Sequence, residues 1–365
     1  MDSDISINIL QSFSRMSGQF INKDKSVLTF SNNISSHQRL HLSRKIGIPI
    51  RDNIRKYLGI LMEKTLKKSQ TFQPIIDKIS SRVLSWKEKY LSPAGKEILV
   101  KAIVQAIPIY SMSTFLLPKK VTRTPEQLIA KFWWSSSKDK GIHWLSWVKL
   151  SQPKVLGGLG FKDIHLFNIS LLAKQGWFML KYQNSLMASF MKAKYFPKFS
   201  FLDADLGRKP SWLWRGIIKA RYLLKQGLRW RVGDGSKINI WDDFWVANKH
   251  EFLLRSGRTN VICKVADLID QSTEGWNLAL INSIFSHWES KYITATPLSR
   301  FGCEYELNWN YEKSGVFSVK SAYRLASSLN LQGMLDNPPI GEPSSNALQK
   351  SIWNIVWKLK IPKKL

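Results

Sequence analysis

At 365 residues the chain is long enough for two or three domains, and a composition that is 44% hydrophobic excludes global disorder. Its formal charge of +29 favours a polyanionic partner, nucleic acid ahead of a membrane surface. Two cysteines, Cys263 and Cys303, make neither a disulfide framework nor a metal cluster, no stretch reaches the roughly 18 apolar residues that span a bilayer, and Met1 to Ile9 lacks the basic start of a signal peptide.

In chain order, Ile9, Leu10 and Phe13 read as the end of a helix that stops near Gly18. Lys25 to Phe30 (KSVLTF) reads as a short strand, His37 to Lys45 as a helix capped by Gly47, and Tyr57 to Met62 as a second strand. Two short strands do not make an independent domain, so this opening reads as incomplete. Residues 64–137 read as helical. Phe72, Ile75, Ile76, Ile79, Val83 and Trp86 recur at spacings of three and four and share one helix face. Ser92-Pro93 restarts a helix, the serine accepting from free N–H groups and the proline fitting the first helical position. That second helix is expected to bury Leu99, Ala102, Ile103, Ala106 and Ile107, to end at Pro108, and to leave Lys87, Lys89, Lys96 and Lys101 along a basic outer edge of an antiparallel pair. A further helix is expected from Pro125 to Trp134.

Gly157-Gly158-Leu159-Gly160 lacks the spacing of a phosphate-binding loop and reads as a turn. Asn168 to Tyr182 is an amphipathic helix. Residues 181–231 hold 12 Lys/Arg against 2 Asp/Glu, with Trp212, Trp214, Tyr222 and Trp230 among them. Such interleaving suits a groove that tracks a backbone, although amphipathic helices bury most of their aromatics. Arg229 to Trp241 reads as a hairpin around Gly233-Asp234-Gly235, residues 264–290 as helix, Tyr305 to Val319 as a second hairpin around Glu312 to Gly315, and Ser321 to Leu329 as a helix. Residues 331–350 are rich in Pro, Gly, Asn and Ser and read as a linker. The fold class is α+β, predominantly α-helical.

No arrangement of residues builds an active site. His37 and His41 are four apart, but two ligands without a nearby Cys, Asp or Glu rarely hold a metal. Asp242-Asp243 imitates a metal-binding carboxylate pair and lacks a third partner; Asp203 and Asp205 read as capping residues.

Several stretches resemble one family. They are Ser17-Gly18-Gln19-Phe20-Ile21-Asn22 with Lys25-Ser26, Tyr57-Leu58-Gly59-Ile60, Leu84-Ser85-Trp86-Lys87, Leu91-Ser92-Pro93-Ala94-Gly95-Lys96, and Gln105-Ala106-Ile107-Pro108-Ile109-Tyr110-Ser111-Met112. Phe132-Trp133-Trp134, Gly141-Ile142-His143-Trp144, Gly157 to Phe161, Val232-Gly233-Asp234-Gly235 and Gly315 to Tyr323 continue the pattern. In this order they resemble the post-catalytic region of plant non-LTR (LINE-type) retrotransposon reverse transcriptases, running into that family's zinc-binding domain. The resemblance implies a partial palm remnant over 1–62 and a thumb-like helical region over 63–137. It implies a basic, aromatic-rich connector over 138–260, a helix, hairpin and helix over 261–330, and a linker with the truncated start of the zinc-binding domain over 331–365. The family's Mg²⁺-binding aspartates would lie before Met1 and its zinc ligands after Leu365, so neither cofactor is expected on this chain. The expected function is sequence-independent binding of an RNA–DNA hybrid or duplex by a fragment that is not itself an enzyme. The rival readings are RNA-directed DNA polymerase by family inheritance and a pseudogene product without function. The residues expected to face nucleic acid are Lys87, Lys89, Lys96, Lys101, Lys119, Lys120, Lys192, Lys194, Arg208, Lys209 and Arg215. No membrane or small-molecule partner is expected, and the setting is intracellular, nuclear or cytoplasmic.

Overall fold

The computed structural model describes residues 2–31, 33–51, 56–57, 60–61, 68–86, 91–135, 142–246, 254, 262–270, 272–273, 275–298 and 306–331. The described residues are α+β and predominantly helical. They form two compact units, 1–86 and 87–365.

In the first unit, α1 (Asp2–Ser17) ends where Gly18 turns left-handed, its N–H bonded to the Ser14 carbonyl. The apolar side chains of α1 lie open: Ile5, Ile9, Phe13 and Met16 are all exposed. Helix α2 (Ser36–Ile46) starts at the Ser35 cap and stops at Gly47, whose φ of 72° only glycine adopts readily. Lys45 reaches Asp4 at 2.6 Å and ties the two helices, and that hydrogen bond holds the Asp4 carboxyl below its ordinary value. The strand expected over 25–30 is reduced to one parallel bridge, Leu28 with Ile50, because only residues 49–51 run beside it. The strand expected over 57–62 doubles back instead: β1 (Lys56–Tyr57) pairs antiparallel with β2 (Ile60–Leu61). After α3 (Lys68–Thr71), α4 (Gln73–Ser85) buries Phe72, Ile79 and Val83 as their spacing requires.

The second unit opens with α5 (Pro93–Leu99), capped by Ser92, whose hydroxyl accepts from Gly95 N at 3.2 Å. The expected antiparallel pair is not described as such, since α4 and α5 belong to different units and residues 87–90 lie outside the described residues. After Leu99 the helix widens into a π-turn, Val100–Val104, in which Gln105 N bonds the Val100 carbonyl. That wider turn rotates the following residues. Lys96, Val100 and Val104 point inward, and the expected core residues Ala102, Ile103 and Ala106 are exposed. Next come α6 (Ile109–Thr114) and α7 (Lys119–Trp134). Pro125 lies inside α7 and does not start it; the ring is buried among Val121, Thr122 and Ile129, which offsets the lost backbone bond.

A short helix, α8 (Trp147–Ser151), leads to the glycine turn, where Leu159 N and Phe161 N both bond the Leu150 carbonyl. A Cβ on Gly158 would stand 2.0 Å from the Gln152 carbonyl oxygen, so only glycine fits there. Helix α9 (Ile164–Lys181) is apolar on nearly every side and forms the centre of the main core. Around it pack α10 (Leu186–Tyr195), α11 (Trp212–Gly227) and α14 (Val319–Leu331), with Trp177, Trp214, Leu224, Trp309 and Leu325 filling the space between. The remaining strands and helices are β3 (Leu228–Arg231), β4 (Ile269–Asp270), β5 (Gly275–Trp276), α12 (Leu278–Ile284), α13 (His287–Thr294) and β6 (Glu306–Trp309).

Both expected hairpins are corrected. Strand β3 pairs with β6, in register Leu228 to Trp309 and Arg231 to Glu306. Gly227 and Trp309 explain the choice: a Cβ at 227 would lie 2.2 Å from the indole, so the missing side chain admits the buried ring. Trp309 Nε1 donates to Ser321 Oγ at 2.8 Å. After β3 the chain does not fold back on itself. Val265 N bonds Ile238 O and Ile240 N bonds Cys263 O, which starts a second core of Val232, Ile240, Trp241, Trp245, Ile281 and Ile293. The helix expected over 264–290 is interrupted by a 3₁₀ turn, Val265–Leu268, and the β4–β5 pair before α12. After β6, residues 316–318 lead directly into α14, so the second expected hairpin has no second strand.

Candidate nucleic-acid interface

The basic residues of α10, the 208–211 segment and α11 converge on one joint. Ser211 caps α11 by accepting from Trp214 N at 3.2 Å, and its own N–H donates to Tyr195 Oη at 3.3 Å. The Tyr195 ring lies flat on Trp214, centroids 4.7 Å apart, which fixes the end of α10 against the start of α11. Lys192, Lys194, Arg208, Lys209 and Arg215 surround this joint and are all exposed. Arg215 Nε donates back to Pro210 O at 3.4 Å. Burial pushes the Tyr195 hydroxyl upward, but the bonds with Ser211 and the charge of Lys194 outweigh it and leave the group below its ordinary value. Phe115 against Trp212, at 5.1 Å, and Leu116 against Gly216 bring the start of α7 to the same turns of α11. Lys119 and Lys120 stand exposed there. Seven of the eleven residues expected from sequence are therefore exposed around one region.

The other four fall elsewhere. Lys87 and Lys89 lie outside the described residues. Lys96 is buried, a correction to its expected place on an outer edge. Its Nζ donates to Ser135 O at 2.7 Å and Phe132 O at 3.2 Å, closing the C-terminal end of α7. Lys101 Nζ is held between Glu97 at 2.6 Å and Leu159 O at 2.8 Å, where it anchors the glycine turn. Burial raises the Glu97 carboxyl, and its bonds with Lys101 and Lys154 more than reverse that. Lys96→Met is expected to lower stability by about 2 kcal/mol, since two carbonyls lose a charged donor. Urea unfolding checks this, and an unchanged midpoint would show Lys96 to be dispensable to the fold.

Two features were not visible in the sequence. On α10, Leu186, Phe190 and Lys194 follow one another at intervals of four, and Phe190 is 59% exposed beside the lysine. At the start of α9, Ile164 N donates to Glu126 Oε1 and Leu166 N to Asp163 Oδ1, both at 2.9 Å, and Asp163 N donates to Tyr323 Oη at 2.9 Å. Burial first, then the nearby Asp163 charge, pushes the Glu126 carboxyl up to about 7. Burial likewise pushes Tyr323 up to about 12. These groups satisfy the free N–H donors at a helix start.

Among the described residues no three His, Cys, Asp or Glu side chains come together as a metal site. Asp243 instead accepts from Asn239 N at 2.7 Å and closes a turn. No described helix is long and apolar enough to cross a membrane.

No family model matches the chain. Over 312 residues, 84% of its length, the chain is 32% identical to an Arabidopsis thaliana protein named "Putative ribonuclease H protein", and it covers 48% of that protein. The chain thus spans about half the length of that relative. Over 146 residues, 40% of its length, it is 38% identical to an Arabidopsis thaliana protein named "Uncharacterized mitochondrial protein", of which it covers 95%. The chain belongs to the family of this mitochondrial protein.

Proposed function

We propose that this chain is the nucleic-acid-holding part of a retroelement reverse transcriptase, covering a palm remnant, a thumb and a connector that leads to a zinc-binding domain. The observation that carries the reading is the convergence of Lys119, Lys120, Lys192, Lys194, Arg208, Lys209 and Arg215 on the first turns of α11. Exposed cations on rigid helices suit phosphate contacts, which position a duplex without reading its sequence. The relative's name, with its reference to ribonuclease H, supports a nucleic-acid partner. The open apolar side of α1 supports an opening unit that packs on a further segment of a longer polypeptide. On this reading the chain does not itself catalyse polymerisation or cleavage.

Fluorescence anisotropy with an RNA–DNA hybrid tests it. Binding is expected at low salt, with log affinity falling against log salt at a slope near −4 for about five phosphate contacts. The triple variant Lys194→Glu, Lys209→Glu, Arg215→Glu is expected to bind at least about tenfold more weakly. Absence of binding at low salt, or binding indifferent to salt, would overturn the proposal. In the same samples, template–primer, nucleotides and Mg²⁺ should give no incorporation; incorporation would make the chain an enzyme.

A further inference from the structure

We infer that the outer face of α10 is a stacking platform for unpaired bases, so that the chain holds single-stranded nucleic acid beside the duplex. This rests on the proposed nucleic-acid function and adds a second class of ligand to it.

The aromatics that the sequence offers for stacking are mostly taken by the core. Trp214 is fully buried between Tyr195 at 4.7 Å and Phe196 at 5.5 Å. Trp212 packs on Phe115, and Trp230 packs against the second core. Phe190 is the reverse case. It sits mid-helix on a face with Leu186, which is 88% exposed, and has 59% of its own surface open. With more than half of its surface in water, Phe190 contributes less to the fold than a core phenylalanine.

Its neighbours define the ligand. The Lys194 ammonium lies 5.6 Å from the Phe190 ring centre and 5.4 Å from that of Tyr195. A phosphate bound by Lys194 therefore brings the attached nucleotide within reach of the Phe190 ring. No acidic residue occurs anywhere in α10. An apolar protein partner would meet this ring of charge at a cost, whereas a polyanion with flat apolar bases matches both components. Bases inside a duplex are already stacked and cannot reach the ring, which restricts the platform to unpaired nucleotides. Neither the lysines nor the phenyl ring distinguishes ribose from deoxyribose, so both sugars are expected to bind.

The test compares oligo-dT, oligo-rU and duplex DNA, each of about 20 units, with the full chain at one salt concentration. Stacking contributes about 1–3 kcal/mol per base, so Phe190→Ala is expected to weaken both single strands by about tenfold and to change duplex affinity less than twofold. Phe190→Trp, which keeps a stacking surface, should retain or improve single-strand binding. An equal loss for duplex and single strand, or no loss for either, would overturn the platform. So would a change confined to self-association of the free protein, which would make the face a contact between protein chains. Failure of every nucleic acid to bind the unmodified chain would instead overturn the proposed function itself.

Discussion

Asn168→Leu is expected to lower the melting temperature by roughly 10 °C, on the basis of about 4 kcal/mol lost and 2–4 °C per kcal/mol for a unit of this size. Asn168 is wholly buried in the second turn of α9. Its Oδ1 accepts from Leu117 N at 2.8 Å, and its Nδ2 donates to Met112 O at 2.7 Å and Phe115 O at 2.9 Å. One side chain thus satisfies the backbone between α6 and α7, where the chain leaves one helix before entering the next. Leucine matches the volume but strips the buried Leu117 N and Met112 O of this partner, each costing about 1–3 kcal/mol. Asn168→Asp is expected to do worse at neutral pH, because a carboxylate would face two carbonyl oxygens. Thermal unfolding followed by circular dichroism checks both variants. A loss below about 3 °C for leucine would mean that water replaces the amide.

The second large effect depends on pH. The Glu126 carboxyl titrates near 7 in the folded chain against 4.5 when free, so the folded state prefers its protonated form. The associated stability is fully present below pH 4.5 and is lost as pH rises through about 7. The size is about 3 kcal/mol as an upper bound, from 1.36 kcal/mol per pKa unit. Glu126→Gln keeps an oxygen for Ile164 N and removes the charge. It is therefore expected to stabilise the chain by about 2 kcal/mol at pH 8 and to change little at pH 4.5, because burial first and the Asp163 charge second disfavour the carboxylate. Urea midpoints at the two pH values decide this, and a variant less stable at pH 8 would show that the charged form is the favoured one.

Much of the helical framework could be read from residue types. The Ser92 cap, the Gly47 stop and the apolar spacing of α4, α9 and α14 are local signals, and local chemistry sets those boundaries. The failures share a cause in long-range packing. Gly233-Asp234-Gly235 carries a hairpin signal, yet the Gly227–Trp309 fit draws β3 to a strand far along the chain. Lys96 looks like a surface residue in any pattern of charge and becomes internal because two carbonyls at the end of α7 need a donor. The basic interface was legible as a composition bias over 181–231, but its geometry was not. The Tyr195–Ser211 bond and the Tyr195–Trp214 stack bring its parts together, and neither has a sequence signature.

The β3–β6 pair has a topological meaning as well. Arg231 and Glu306 stand opposite one another at the end of the ladder, so the chain leaves the main core and returns to it at the same place. The second core, Val232 to Ile293, lies entirely between those two points, and the main core uses residues on either side of them. The second core is thus a module inserted into a single hairpin. Evolution can lengthen, trim or exchange it without redrawing α9, α11 and α14, because the two strands hold the cut ends side by side.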